Sequence, residues 1–280
     1  MIIFNDKGFA KPQMFMNLFI SNAGLIVIGC GMTLVMITGG IDISVGSVTA
    51  LVCMSAAYAM ENKGMSAVVA VVISLLIGTL FGIVQGYLVT YLEIQPFIVT
   101  LAGMFFGRGL TAVISTDMIA IQNKTFLKWA NYRINLPFGT YNRRGIFIPA
   151  YIYPTVIIAL AVVILITIML KFTKFGRSLY AIGGNQQSAV MMGLNVKRTK
   201  MKAYVLDGFL AGLGGFLFCL NSCAGFVEQA KGLEMDAIAS AVIGGTLLSG
   251  GVGTVIGTLF GVLINGCLLY TSPSPRDKRQ

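Results

Sequence analysis

The run Ala150-Tyr-Ile-Tyr-Pro-Thr-Val-Ile-Ile-Ala-Leu-Ala-Val-Val-Ile-Leu-Ile-Thr-Ile-Met-Leu170 contains no charged side chain. A helix needs about 20 apolar residues to cross the hydrocarbon core of a bilayer, and this run supplies them. Backbone polar groups in lipid must be satisfied within the segment, so the run reads as a spanning helix. The stretch that follows, up to Ala203, holds Lys171, Lys174, Arg177, Lys197, Arg198, Lys200 and Lys202 and no acidic residue. Uncompensated basic residues beside a span mark its cytoplasmic end. The polar loop from Thr116 to Pro149 is then external. Lys124, Lys128, Arg133, Arg143 and Arg144 outnumber Asp117 in it, but a long loop carries little weight in that rule.

Further apolar runs lie at Ala23–Thr38, Ser44–Met60, Met65–Leu92, Pro96–Ser115, Ala203–Gly225, Ala237–Leu248 and Val252–Gly266. Over the whole chain 56% of residues are hydrophobic and 11% charged, with a mean hydropathy of +0.84. Soluble domains carry about 25% charged residues, so lipid must be the solvent for much of this surface. The predicted fold is all-α: a polytopic transmembrane helix bundle with broken and re-entrant helices. Ala23–Thr38 and Ala237–Leu248 are too short to span and read as partial helices. Such breaks are tolerated only where protein or a water-filled path satisfies the freed backbone. Glycines at Gly208, Gly212 and Gly215, and at Gly253, Gly257 and Gly261, have the small-residue spacing that lets helix backbones approach closely.

The net charge of +10 follows the flanks of apolar runs and forms no groove with interleaved aromatics, so it speaks for topology and against nucleic acid. The sequence has no histidine, which removes the commonest general base and zinc ligand. Cys30, Cys53, Cys219, Cys223 and Cys267 form no CxxC pair, and cysteine in apolar surroundings behaves as a small hydrophobe. No metal site, no cofactor and no catalytic constellation is expected. No G-x-x-x-x-G-K-[ST] occurs, so the chain does not hydrolyse ATP through a P-loop. Trp129, Tyr132, Tyr141, Tyr151 and Tyr153 fit an external loop and an interfacial aromatic belt.

Three stretches stand out. In Gly39-Gly40-Ile41-Asp42-Ile43-Ser44-Val45-Gly46-Ser47 two glycines end one apolar run and a carboxylate opens the next. Asp42 is placed to cap the new helix, and the break itself reads as part of a transport path, because discontinuous helices line midplane sites in transporters. Both readings can hold together. Near the other end, Asp236 is read as the cap of a short helix that Gly244-Gly245 and Gly250-Gly251 break. The basic segment from Phe175 to Val196, with Gly176, Arg177, Gly184, Asn185, Ala189 and Gly193, is either a pair of interfacial helices or a docking surface for a soluble partner. Small residues at Ala189 and Gly193 beside Val190, Met191 and Leu194 suit an exposed helix that enters a groove, yet spacing alone does not choose. Arg108 and Asp207 are lone charges within apolar runs and belong in the bundle interior, a cavity or a headgroup layer.

Taken in order, Gly39–Ser47, Pro96–Gly109, Phe175–Asn185 with Gly193, and Glu234–Gly253 resemble the permease subunits of ribose-type ABC sugar importers. The run Ala102-Gly103-Met104-Phe105-Phe106 and Leu247-Leu248-Ser249-Gly250-Gly251 look most like galactofuranose importer permeases. The resemblance implies a bacterial inner-membrane permease paired with a second permease subunit, identical or sister. It implies two ATP-binding subunits docked near Gly176–Val196, with ATP bound there and not on this chain, and a periplasmic sugar-binding protein. Residues 1–266 are expected to form the permease domain, without the family's first and last spans. Residues 267–280 look like a translated sequencing adapter. The alternative function is a secondary transporter or channel in which Asp42 and Asp207 carry coupling ions.

Overall fold

The computed structural model describes residues 12–141 and 147–271. The helices are α1 (Pro12–Ile37), α2 (Val45–Glu61), α3 (Ala67–Thr90), α4 (Pro96–Ile114), α5 (Lys124–Ala130), α6 (Pro154–Phe172), α7 (Lys174–Gly184), α8 (Gln186–Met191), α9 (Val196–Ser222), α10 (Leu233–Ile243) and α11 (Val255–Thr271). Short strands β1 (Ile119–Ala120), β2 (Ile134–Tyr141), β3 (Phe147–Ile152) and β4 (Ala224–Gly225) pair antiparallel as β1–β4 and β2–β3. By length and composition α1, α3, α4, α6 and α9 are able to cross a membrane, while α2 and α11 are shorter apolar helices. The expected tail at 267–280 lies outside the described residues from 272 onward, as do Arg143 and Arg144 of the loop.

Polarity is inverted relative to a soluble protein. Leu76, Leu80, Phe105, Phe106, Ile164 and Leu165 on α3, α4 and α6 face outward, whereas Thr33, Ser47, Thr49 and Ser74 are fully buried. So broad an exposed apolar surface does not persist in water. Buried hydroxyls turn back onto their own helices: Thr33 Oγ1 donates to the Gly29 carbonyl at 2.7 Å and Ser74 Oγ to that of Ala70 at 2.7 Å. At the centre, α1 is buried continuously from Ala23 to Ile37.

Glycine sets the closest helix approach. Gly78 and Gly82 of α3 face Gly208 and Gly212 of α9; a Cβ built on Gly208 would stand 2.7 Å from both Cα and N of Gly82. Gly257 and Gly261 of α11 meet Gly244, just past α10, and Ser240 of α10 in the same way. Gly208, Gly212, Gly257 and Gly261 thus sit where backbones touch, as their spacing predicts, whereas Gly253 lies before α11 against the side chain of Thr246.

The bundle has two distinct ends. Lys197 Nζ lies 2.8 Å from Glu93 Oε1, so Glu93 joins the basic end. At the opposite end Glu61 Oε1 accepts from the backbone N–H groups of Gln122 (2.8 Å) and Asn123 (3.0 Å). Asn123 caps α5, whose Phe126 is fully buried with its ring edge-on to Phe216 at 5.9 Å. The Lys197 ammonium holds the Glu93 carboxyl below the usual carboxylate range. A depressed folded-state value means that this pair's contribution exists at neutral pH and is lost as pH falls through the lowered value. Because the pair is solvent-exposed its contribution is small. Thermal unfolding of Glu93→Gln should lie slightly below the parent at neutral pH and show a weaker acid-side decline.

Two helix expectations change. Ala23–Thr38, read as a partial helix, is the inner part of a 26-residue helix. Its first turns escape hydropathy because they carry Gln13, Asn17 and Asn22, which have partners. Gln13 Oε1 accepts from Tyr151 N at 2.8 Å, and Asn22 Nδ2 donates to the Leu18 carbonyl at 2.8 Å. Ala237–Leu248 is short as expected, with α10 spanning 11 residues.

Candidate functional site

The first break begins where Gly39 adopts φ +77°, a left-handed conformation that glycine takes without steric cost. Asp42 Oδ1 accepts from Ser44 N and from Ser44 Oγ, each at 2.7 Å. Ser44, not Asp42, is the residue that precedes α2, and its hydroxyl makes no cap bond to the helix. The expectation that Asp42 caps α2 is therefore corrected. Two residues lie between Asp42 and the helix, and its carboxylate closes a local side-chain turn instead. Ser44 Oγ also accepts from Gln85 Nε2 of α3 at 2.8 Å. Gly40 is buried against the hydroxyl of Tyr204 on α9.

The second break follows α10. Gly244 lies backbone-to-backbone against Gly257, and Gly245, Gly250 and Gly251 have φ of +90°, +87° and +78°. Asp236 does not cap α10 either. Gly232 precedes that helix, and Asp236 sits one turn inside it, accepting from Asn265 Nδ2 of α11 at 3.2 Å. The carboxylate that reaches back to the helix start is Glu234, whose Oε1 accepts from Gly232 N at 3.3 Å.

The two breaks meet on α7. Gly251 N donates to the Ile37 carbonyl at 2.9 Å. Gly183 of α7 packs on that same carbonyl and on Gly251 N, with no room for a side chain. Tyr180 Oη, one turn earlier, donates to the Gly253 carbonyl at 2.7 Å. Gly176 lies against the backbone of Leu170, where α6 turns into α7, and Thr173 caps the turn through Gly176 N at 3.2 Å. Arg177 lines a groove of about 420 Å³ with Lys171, Tyr180 and Thr254–Ile256.

Beyond Gly184, which has no neighbour at its Cβ position, Asn185 caps α8 by accepting from Ser188 N at 2.9 Å. Ala189, expected on an exposed face, is fully buried with Ile182 and Val196. The hairpin folds back on itself, and the smallest side chain fills its inside. The outward face is Val190, Met191 and Met192, with Met191 89% exposed. Gly193 closes the hairpin at φ +76° in open space.

Arg108 and Asp207 do not pair. Arg108 Nη1 donates to the carbonyls of Val227 (2.7 Å) and Gln229 (2.5 Å), while Asp207 is fully buried against Gly31 of α1. The sequence reading missed Gln85, Tyr180 and Tyr204. Gln85 had a signal, being the one amide in an uncharged span; the tyrosines had none.

Residues 14–272 match the family described as branched-chain amino acid transport system / permease component. The inner membrane ABC transporter permease protein YjfF of Escherichia coli K12 is 41% identical over 261 residues, covering 93% of this chain and 76% of that protein. The fructose import permease protein FruG of Bifidobacterium longum is 38% identical, covering 90% and 73%. The ribose import permease protein RbsC of Bacillus subtilis is 39% identical, covering 94% and 78%. No solved structure matches the chain. Its helix bundle, its two glycine breaks and these similarities place the chain in the branched-chain amino acid transport system / permease component family, as a membrane permease.

Proposed function

We propose that this permease forms the path by which an ATP-driven importer of the inner membrane takes up a sugar, a pentose or a hexose. A periplasmic sugar-binding protein delivers the sugar, and a second permease subunit completes the path. Two ATP-binding subunits drive it, one of them seated on the α7–α8 hairpin. The names of the fructose and ribose import permeases support the sugar, and galactofuranose is the first one to test, on the two motifs at 102–106 and 247–251.

One observation carries the mechanism. The hairpin that presents Val190, Met191 and Met192 is joined, through Gly183 and Tyr180, to both helix breaks. A push on the hairpin reaches the Ile37 carbonyl and the 250–253 turn together. Gly39, Gly245, Gly250 and Gly251, already at positive φ, are the positions able to absorb a change in backbone direction.

Met191→Glu tests the docking. It places a charge on a surface methionine without disturbing the buried Ala189. The ATPase should no longer co-purify and ATP-dependent uptake should fall to background, at an unchanged level of permease in the membrane. Normal co-purification would remove the hairpin from the interface. Uptake that stops with a proton uncoupler while ATP is maintained would instead favour an ion-coupled carrier.

A further inference from the structure

We infer that the groove between α6, α7 and α11, at the basic end of the bundle, is a binding site for an anionic phospholipid, with the headgroup phosphate on Lys171 and Arg177 and an acyl chain along the apolar wall beneath them. The inference rests on the chain being a membrane permease and not on which solute it carries.

Lys171, in the last turn of α6, and Arg177, in the first turn of α7, both line this groove of about 420 Å³, and no carboxylate does. Among the described residues the salt bridges are Lys197–Glu93 and Lys231–Glu228, so neither cation of the groove is neutralised. The third wall is Thr254, Val255 and Ile256, where α11 starts. A helix start favours a negative charge. Of the N–H groups that it leaves free, that of Gly257 is taken by Thr254 Oγ1 at 3.1 Å. Charge on all three walls therefore calls for an anion, and the arginine fork suits a phosphate.

A free phosphate would need only that rim, but the groove continues downward and changes character. Thr167 lines it one turn below Lys171, about 6 Å along the helix. Its hydroxyl is buried without a hydrogen-bond partner, whereas those of Thr33 and Ser74 bond to their own helices. On the facing helix, Ile256 begins a ridge with Phe260 and Ile264, each about half exposed. Their four-residue spacing puts them on one helix face. Cations, then a hydroxyl, then hydrocarbon is the order of a phospholipid read from its phosphate through its ester carbonyls to its chain. Basic pockets between spanning helices at the cytoplasmic side take anionic headgroups in this way. Tyr180 gives the site a consequence, because it lines the groove while its hydroxyl donates to the Gly253 carbonyl at 2.7 Å. The lipid thus braces the joint through which α7 bears on the second helix break.

Native mass spectrometry of the purified permease, without ATP-binding subunits, counts bound phosphatidylglycerol and needs no transport activity. The parent should retain phosphatidylglycerol in preference to phosphatidylcholine. Lys171→Gln with Arg177→Gln, both at exposed positions, should weaken retention roughly 25-fold, since each basic residue near an anionic lipid counts for about fivefold. Arg198→Gln with Lys202→Gln removes the same charge from the same end, on α9 and outside the groove, and should bind like the parent. Ile256→Trp keeps both cations, fills the apolar wall and should also expel the lipid. The assignment fails if phosphatidylcholine is retained equally, or if the α9 variant loses the lipid as fully as the groove variant. It fails too if Ile256→Trp leaves the lipid bound, or if inorganic phosphate competes at the lipid's own concentration, since the groove would then serve a free anion. No lipid on the permease alone would return Lys171 and Arg177 to the ATPase interface. A failed sugar-uptake assay with the lipid in place would count against the import reading and not against this one.

Discussion

Gly183→Val should reduce import to background while the permease still inserts in the membrane. A Cβ at this position meets the Ile37 carbonyl and the amide of Gly251, both of them backbone. Neither is a flexible side-chain tip, so α7 itself must lift. Overpacking of this kind costs about 1–3 kcal/mol, which is affordable for a bundle held by many other contacts. The lost geometry is the sharper effect, because the hairpin no longer bears on the two breaks. Gly184→Val, one residue on and in open space, is the matched control and should transport nearly normally. Wild-type uptake by Gly183→Val would mean that motion at the hairpin reaches the breaks by another route.

Gly208→Leu should give the largest loss of stability. Its Cβ would approach Gly82 Cα and N at 2.7 Å, and the whole α3–α9 seam would have to open. Replacing a helical glycine recovers about 1 kcal/mol of helix propensity. Steric separation of two backbones lies at or above the roughly 3 kcal/mol upper end of usual overpacking costs, so the net sign is destabilising. Thermal unfolding in detergent measures it. Gly109→Ala on α4, where nothing lies within 4 Å, has the propensity gain without the clash and should unfold no earlier than the parent. Equal stability of Gly208→Leu would show that the seam is looser than its distances.

Hydropathy found the spans because lipid demands a continuous apolar run, and the run at 150–170 became α6 from Pro154 on, its residues 150–152 ending β3 instead. It missed the first turns of α1, where polar side chains bond to the 150s hairpin and to their own helix. The breaks were legible as Gly-Gly pairs, since few other residues suit positive φ. The roles of the two carboxylates beside them were not. Capping depends on whether the side chain sits immediately before the helix, and sequence places helix starts only to within a residue or two. Asp42 falls two residues early and Asp236 one turn late. The burial of Ala189 and the contact of Gly183 with Ile37 depend on how the chain folds back on itself, and no periodicity encodes that.

The continuous burial of α1 has a bearing on biogenesis. This helix is apolar enough to enter lipid alone, yet from Ala23 to Ile37 it ends with no surface left for lipid. The helices that enclose it include α9 and α11, through Gly24 on Phe218 and Thr33 Oγ1 on Thr258 Oγ1 at 2.7 Å. Both are synthesised long after it. During translation α1 therefore resides in the bilayer as a temporary occupant, with Thr33 bonded only to its own turn, until the later helices arrive and displace the surrounding acyl chains.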